Sequence, residues 1–155
     1  MAFIIKNKKL IIEEIRYLSL NSRFNELKQY IQHGSTSVYE HCVNVACLSL
    51  WICEKTRIKV NKYSLVKGAL LHDYFLYDWH VPDKTHMLHG FTHPGVAFKN
   101  ASKSFELNDR EKDIIIKHMF PLTPVPPHFK ESWIVTIADK ICSIMEILHL
   151  KHRLL

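Results

Sequence analysis

From residue 35 to residue 67, again from 96 to 120, and again from 128 to 155, the chain contains neither glycine nor proline. Those two residues punctuate strands and turns, so their absence over such lengths makes helix the expected conformation. The apolar periodicity agrees. "KKLIIEEIRYLSL" places Leu10, Ile11, Ile15 and Leu18 at helical spacing. "NSRFNELKQYIQHG" predicts a second helix, capped at Asn21 or Ser22, with Phe24, Leu27 and Ile31 as its stripe and Gly34 at its end. Ser37-x-x-Glu40 is a capping box that opens a third helix, with His41 in its first turn and Val45, Leu48 and Ile52 along the same face.

A fourth helix runs from a cap near Asn61 to His72 and Asp73. Residues 74–92 lose the period and read as a structured loop carrying His80, His86 and His89. Thr92 or His93 then caps a fifth helix with Pro94 at its first position. Asn108-x-x-Glu111 opens a sixth, with Ile114 to Ile116 buried and Pro121 as its stop. After a short proline-rich loop, a long last helix gathers Trp133, Ile137, Ile141, Ile144 and Leu148 on one side. The fold class expected is all-α: a compact bundle of six to seven helices, forming one domain over residues 1–155.

Composition narrows the function. At 155 residues, with 47% apolar and 23% charged residues, the chain can bury a core of its own. A formal charge of +6 permits anionic partners. The lysines and arginines are spread along the whole length, however, so nucleic acid is not the expected partner. Cys42, Cys47, Cys53 and Cys142 show no C-x-x-C spacing and read as buried reduced thiols of a cytoplasmic protein. No apolar run approaches the roughly 20 residues of a membrane span, and "MAFIIKNKKLIIEEI" does not read as a secretion signal.

Eleven histidines are the anomaly. His41, the adjacent His72 and Asp73, His93, His118 and Asp139 all fall in otherwise apolar helical segments, where an unpaired polar group is expensive. Each has an ordinary explanation: a hydrogen-bonded core histidine, or an aspartate tying two helices. Five such places on five helices change the balance, because one divalent-cation cluster would satisfy them all together. Imidazole nitrogen and carboxylate oxygen are donors that Mn, Fe, Co or Zn accept. A glycine-rich phosphate loop is absent from the sequence, which argues against a P-loop NTPase.

This ordered series, with "GALLHD", "HPGVA" and "TIADKI" around its members, resembles the HD-domain metal-dependent phosphohydrolase superfamily over roughly residues 37–148. The resemblance implies a helical bundle of the HD type with divalent metal at its centre. His41, His72, Asp73 and Asp139 would hold one ion. His93 and His118 would add a second, with Asp73 bridging and His72 and Asp73 at the catalytic heart. Two ions are expected, and Fe, Mn, Co, Ni, Mg and Zn all suit the donor set. Set against two carboxylates, two divalent ions would leave a surplus near +2 to attract a phosphate ester. The implied activity is hydrolysis of a nucleotide or another small phosphorylated molecule by a metal-activated water. The glycine-tyrosine-proline signature of the cyclic-di-nucleotide branch is absent. His89 and Lys140 are candidate substrate contacts. The competing readings are a non-catalytic helical sensor that binds a nucleotide or metal, and a plain bundle of hydrogen-bonded histidines.

Overall fold

The computed structural model describes residues 7–84 and 87–150. The chain order is α1 (Lys8–Asn21), a 3-10 helix at Phe24–Gln29, β1 (Ile31–His33), β2 (Thr36–Ser37), α2 (Val38–Thr56), α3 (Lys62–Leu71), α4 (His89–Ser104), α5 (Asp109–Lys117) and α6 (Lys130–Ile147). The expected all-α bundle therefore stands, with one small antiparallel ribbon added. Three helix starts are set locally. Ser37 Oγ accepts from the Glu40 N–H while the Glu40 carboxylate accepts from the Ser37 N–H, which fixes the register of α2. Asn61 caps α3 through the Ser64 N–H, and Asn108 with Glu111 forms the box that opens α5.

Two segments depart from the helical reading. After Ser22, whose Oγ accepts from the Phe24 N–H, the chain makes only a 3-10 turn that buries Phe24 and Leu27. It then extends, so Ile31 leaves the stripe and stands exposed on the ribbon. Gly34 makes the reversal possible: its φ of +58° is a conformation that other residues reach only with strain. The Val38 N–H donating to the Tyr30 carbonyl closes the ribbon at 2.8 Å. The fifth helix starts earlier than expected, at His89, because Leu88 takes a left-handed backbone and turns the chain into it. Pro94 thus lies inside α4, where it cannot donate to the Gly90 carbonyl.

α2 packs on α3 and α6, α3 also packs on α5, and α5 closes against α6. One apolar expectation needs correction. Ile114 and Ile115 are fully buried, but Ile116, about 100° further round the helix, is exposed. On α6 the side that gathers Trp133, Ile137, Ile141, Ile144 and Leu148 faces outward, and the buried side carries Ile134, Val135, Ala138, Asp139, Cys142 and Glu146. All four cysteines are buried free thiols. Among the described residues no helix is long and apolar enough to cross a membrane.

The close crossing of α3 and α5 depends on one glycine. Gly68 lies one turn before His72, and Ile114 lies one turn before His118. A Cβ on Gly68 would sit 2.5 Å from Ile114 Cδ1, closer than any real contact allows. The missing side chain lets the two helices approach and brings the ends of both together. Gly68→Ala is expected to lower the unfolding free energy by about 1–3 kcal/mol, overpacking outweighing the roughly 1 kcal/mol alanine gains in helix propensity. Urea unfolding checks this; a variant as stable as the parent would mean the helices part at no cost.

Candidate metal centre

His41 in the first turn of α2, His72 and Asp73 just past α3, His93 in α4, His118 just past α5, and Asp139 in α6 all converge. Each is at least nine-tenths buried. The six positions singled out in the sequence are thus neighbours, contributed by five helices or their ends. Their ligand atoms fall into two groups that could hold a metal ion: His41, His72 and Asp73, and Asp73, His93 and His118. Asp73 belongs to both. Its Oδ1 lies 3.1 Å from His93 Nε2 and 3.4 Å from His118 Nε2. Its Oδ2 lies 3.4 Å from His72 Nε2 and 3.7 Å from His41 Nε2. Asp139 Oδ1 adjoins the first group, 3.0 Å from His41 Nε2 and 3.7 Å from His72 Nε2.

Every imidazole is aimed from behind. The Nδ1 atoms of His72, His93 and His118 meet the main-chain carbonyls of Ala69, His89 and Ile115 at 2.7, 2.7 and 2.9 Å. A carbonyl only accepts, so Nδ1 carries the proton in each ring and Nε2 turns its lone pair toward the centre. His93 Nε2 and His118 Nε2 then face each other at 2.8 Å. Two lone pairs at that distance repel, so a cation must lie against them, either an added proton or a metal ion. His72 Nε2 and Asp73 Oδ1 are buried with no hydrogen-bond partner. Oriented lone pairs, orphaned donor atoms and a nitrogen–oxygen donor set together fit a divalent metal.

The electrostatics point the same way. Burial opposes charge on His41, but the Asp139 and Glu146 carboxylates on its two ring nitrogens hold its pKa up at about 10. Burial opposes charge on His72 as well; Asp73 overrides it and keeps that imidazole well above its ordinary range. Asp73 and Asp139 are pulled the opposite way: burial would raise both, yet the facing imidazoles drive them well below the usual carboxylate range. Burial dominates at His118 and lowers it. Without metal, the proton held by His41 between Asp139 and Glu146 compensates part of the buried carboxylate charge, and a metal must displace it.

Two residues of the centre were not singled out in the sequence. Glu146, buried on α6 two turns beyond Asp139, accepts from His41 Nδ1 at 2.8 Å and so orients that ring. Gln32, on the ribbon, donates to Asp73 Oδ2 at 2.7 Å. The Asp139-x6-Glu146 spacing on one helix face could have revealed the first; nothing local marks the second. His89 stacks on His93 with ring centroids 4.5 Å apart, and its Nδ1 meets the Tyr77 hydroxyl, so it stands behind the ligand groups. The Lys140 ammonium donates to the His118 carbonyl at 2.9 Å and braces the end of α5. His80 is exposed beside Asp78, and His86 lies outside the described residues.

Comparison with known proteins gives one result. A family model described as HD domain matches residues 38–144. No curated protein and no solved structure matches the chain.

Two outcomes are expected from this geometry. Because the metal-free His41 holds its proton up to about pH 10, metal affinity should rise as pH increases from 6 to 9, by up to about tenfold per unit for each proton expelled. Calorimetric titration with Zn2+ or Mn2+ in buffers of differing ionisation enthalpy checks both the slope and the proton release. A pH-independent affinity would show that no protonated ring is displaced. Glu146→Gln, which keeps the shape but removes the charge behind His41, should weaken metal binding by about 10–100-fold.

Proposed function

The chain belongs to the HD domain family, and from that membership we propose that it is a metal-dependent phosphohydrolase or phosphodiesterase cleaving a nucleotide or another small phosphorylated molecule. The position of Asp73 carries this reading. Its carboxylate is shared by both groups of candidate ligands, as a two-ion centre requires, and two ions are the number proposed. Divalent ions held there would supply an activated water near neutral pH and positive charge for phosphoryl oxygens.

The chain's own residues provide preorganisation. His41, His72, Asp73, His93, His118 and Asp139 are the proposed ligands, with His72 and Asp73 central to catalysis. Three carbonyls and the Glu146 carboxylate lock the four rings, so the donors need little rearrangement on loading. Beside them, Trp79 stacks parallel to His89, with centroids 5.1 Å apart. Trp79 also borders a surface cleft of about 330 Å³ that includes Val81, Pro82, Lys84 and Met87. The non-reacting part of the substrate, such as a base or sugar, is proposed to lie along this wall, with His89 in contact. Lys140 is the weaker substrate candidate, since its ammonium is already engaged by the His118 carbonyl. Four free buried thiols support a reducing compartment, the cytoplasm.

Metal content and turnover together test the proposal. Protein purified without chelator should retain or take up divalent metal by elemental analysis. Loaded in turn with Mn, Fe, Co, Ni, Mg and Zn, it should release phosphate or a nucleotide from a panel of nucleoside phosphates and dinucleoside polyphosphates. Asp73→Ala should lower kcat/KM at least about a thousandfold, or ~4 kcal/mol of transition-state stabilisation. A folded, metal-replete protein that cleaves nothing in the panel would overturn the proposed activity. Failure to bind any metal would leave a bundle of hydrogen-bonded histidines.

A further inference from the structure

α6 is apolar on the side that the described residues leave bare. From Trp133 to Leu148 the exposed residues are Trp133 (40%), Ile137 (50%), Ile141 (39%), Ile144 (58%), Ile147 (58%) and Leu148 (61%). None is charged. The charged residues of that stretch serve the interior: Asp139 and Glu146 sit in the centre, and Lys140 reaches the His118 carbonyl. A helix apolar on its outer face as well as its inner one is normally a buried helix. A contiguous exposed patch beyond a few hundred Å² marks an interaction site.

We propose that this face is a homodimer interface, covered by α6 of a second copy of the chain. Spacing is the first argument. Trp133, Ile137, Ile141, Ile144 and Leu148 follow steps of four, four, three and four, which keep them in one stripe that can pack along an equivalent helix. Area is the second. Taking roughly 200 Å² for each large side chain, the exposures above amount to on the order of 600 Å² per copy. A two-fold axis places the same patch on both sides, so pairing removes about 1,200 Å² from water, the lower end of specific interfaces. Lys140, the charged residue beside the seam, carries its ammonium away to the His118 carbonyl.

Sedimentation velocity of the full chain from 1 to 100 µM should show a species of twice the 18.3 kDa chain mass. Ile137→Asp combined with Ile141→Asp should raise the dimer Kd by roughly a hundredfold or more while leaving far-UV circular dichroism unchanged. Leu20→Asp, on the exposed face of α1, should leave the dimer intact. A second variant does not depend on tolerating aspartate. Ile141 lies at the middle of the seam, so it faces its own copy whether the helices pair parallel or antiparallel. Ile141→Cys should therefore give a disulfide-linked dimer under mild oxidation with oxidised glutathione. A parent chain that stays at 18.3 kDa, whether free or floating with phosphatidylcholine vesicles, overturns the proposal. A dimer that survives the double aspartate substitution, or Ile141→Cys protein that does not cross-link, does so too.

Discussion

The fold is built around charge that cannot be left unpaired. Asp73, Asp139 and Glu146 are carboxylates within the helical bundle, and the groups facing them include four buried imidazoles. Removing one carboxylate from water without a partner costs several kcal/mol, so the set is stable only when protons or metal ions balance it. That requirement explains features a purely apolar bundle would not need. α3 gives up a side chain at Gly68 so that α5 can come close. α2 begins where a capping box puts His41 at the centre. Backbone carbonyls at Ala69, His89 and Ile115 orient histidines as well as belonging to helices.

The parts legible in the sequence are those determined over a few residues. Ser37-x-x-Glu40, Asn61 and Asn108-x-x-Glu111 are local caps, and each opens a helix where it was expected to. The ligand candidates were legible because histidine and aspartate are conspicuous inside apolar periods, and all six come together. The ribbon was not legible. Phe24, Leu27 and Ile31 have helical spacing, but the long-range bonds from Gln32 to Asp73 and from Val38 to Tyr30 decide for extended chain. The start of α4 was misplaced because proline at a first turn is only a preference, and the left-handed Leu88 begins the helix at His89.

The direction of the apolar side of α6 was not legible for a different reason. Periodicity identifies an apolar side but not which way it faces, and this helix has two apolar sides. Asp139 and Glu146, seven residues apart and so on one face, carry the missing direction. Polar residues that serve a buried centre point inward, and the largest apolar side chains are left to the outside. In a bundle with an ionic interior, the usual inference from greasy stripe to core therefore reverses on the helix that supplies the carboxylates.

The same reversal ties the two faces of α6 together. Its inner face holds Asp139 against His41 and His72, and its outer face exposes isoleucines to water. A partner seated on the outer face restrains the helix at the positions between Asp139 and Glu146, both of which touch His41. If pairing holds the helix there, less entropy is lost when the ligands are drawn onto a metal. Linkage then requires the converse: metal on the inner face strengthens pairing on the outer one by the same free energy. An inside-out helix can thus make assembly and metal loading a single equilibrium, with His41 and its two carboxylates as the joint between them.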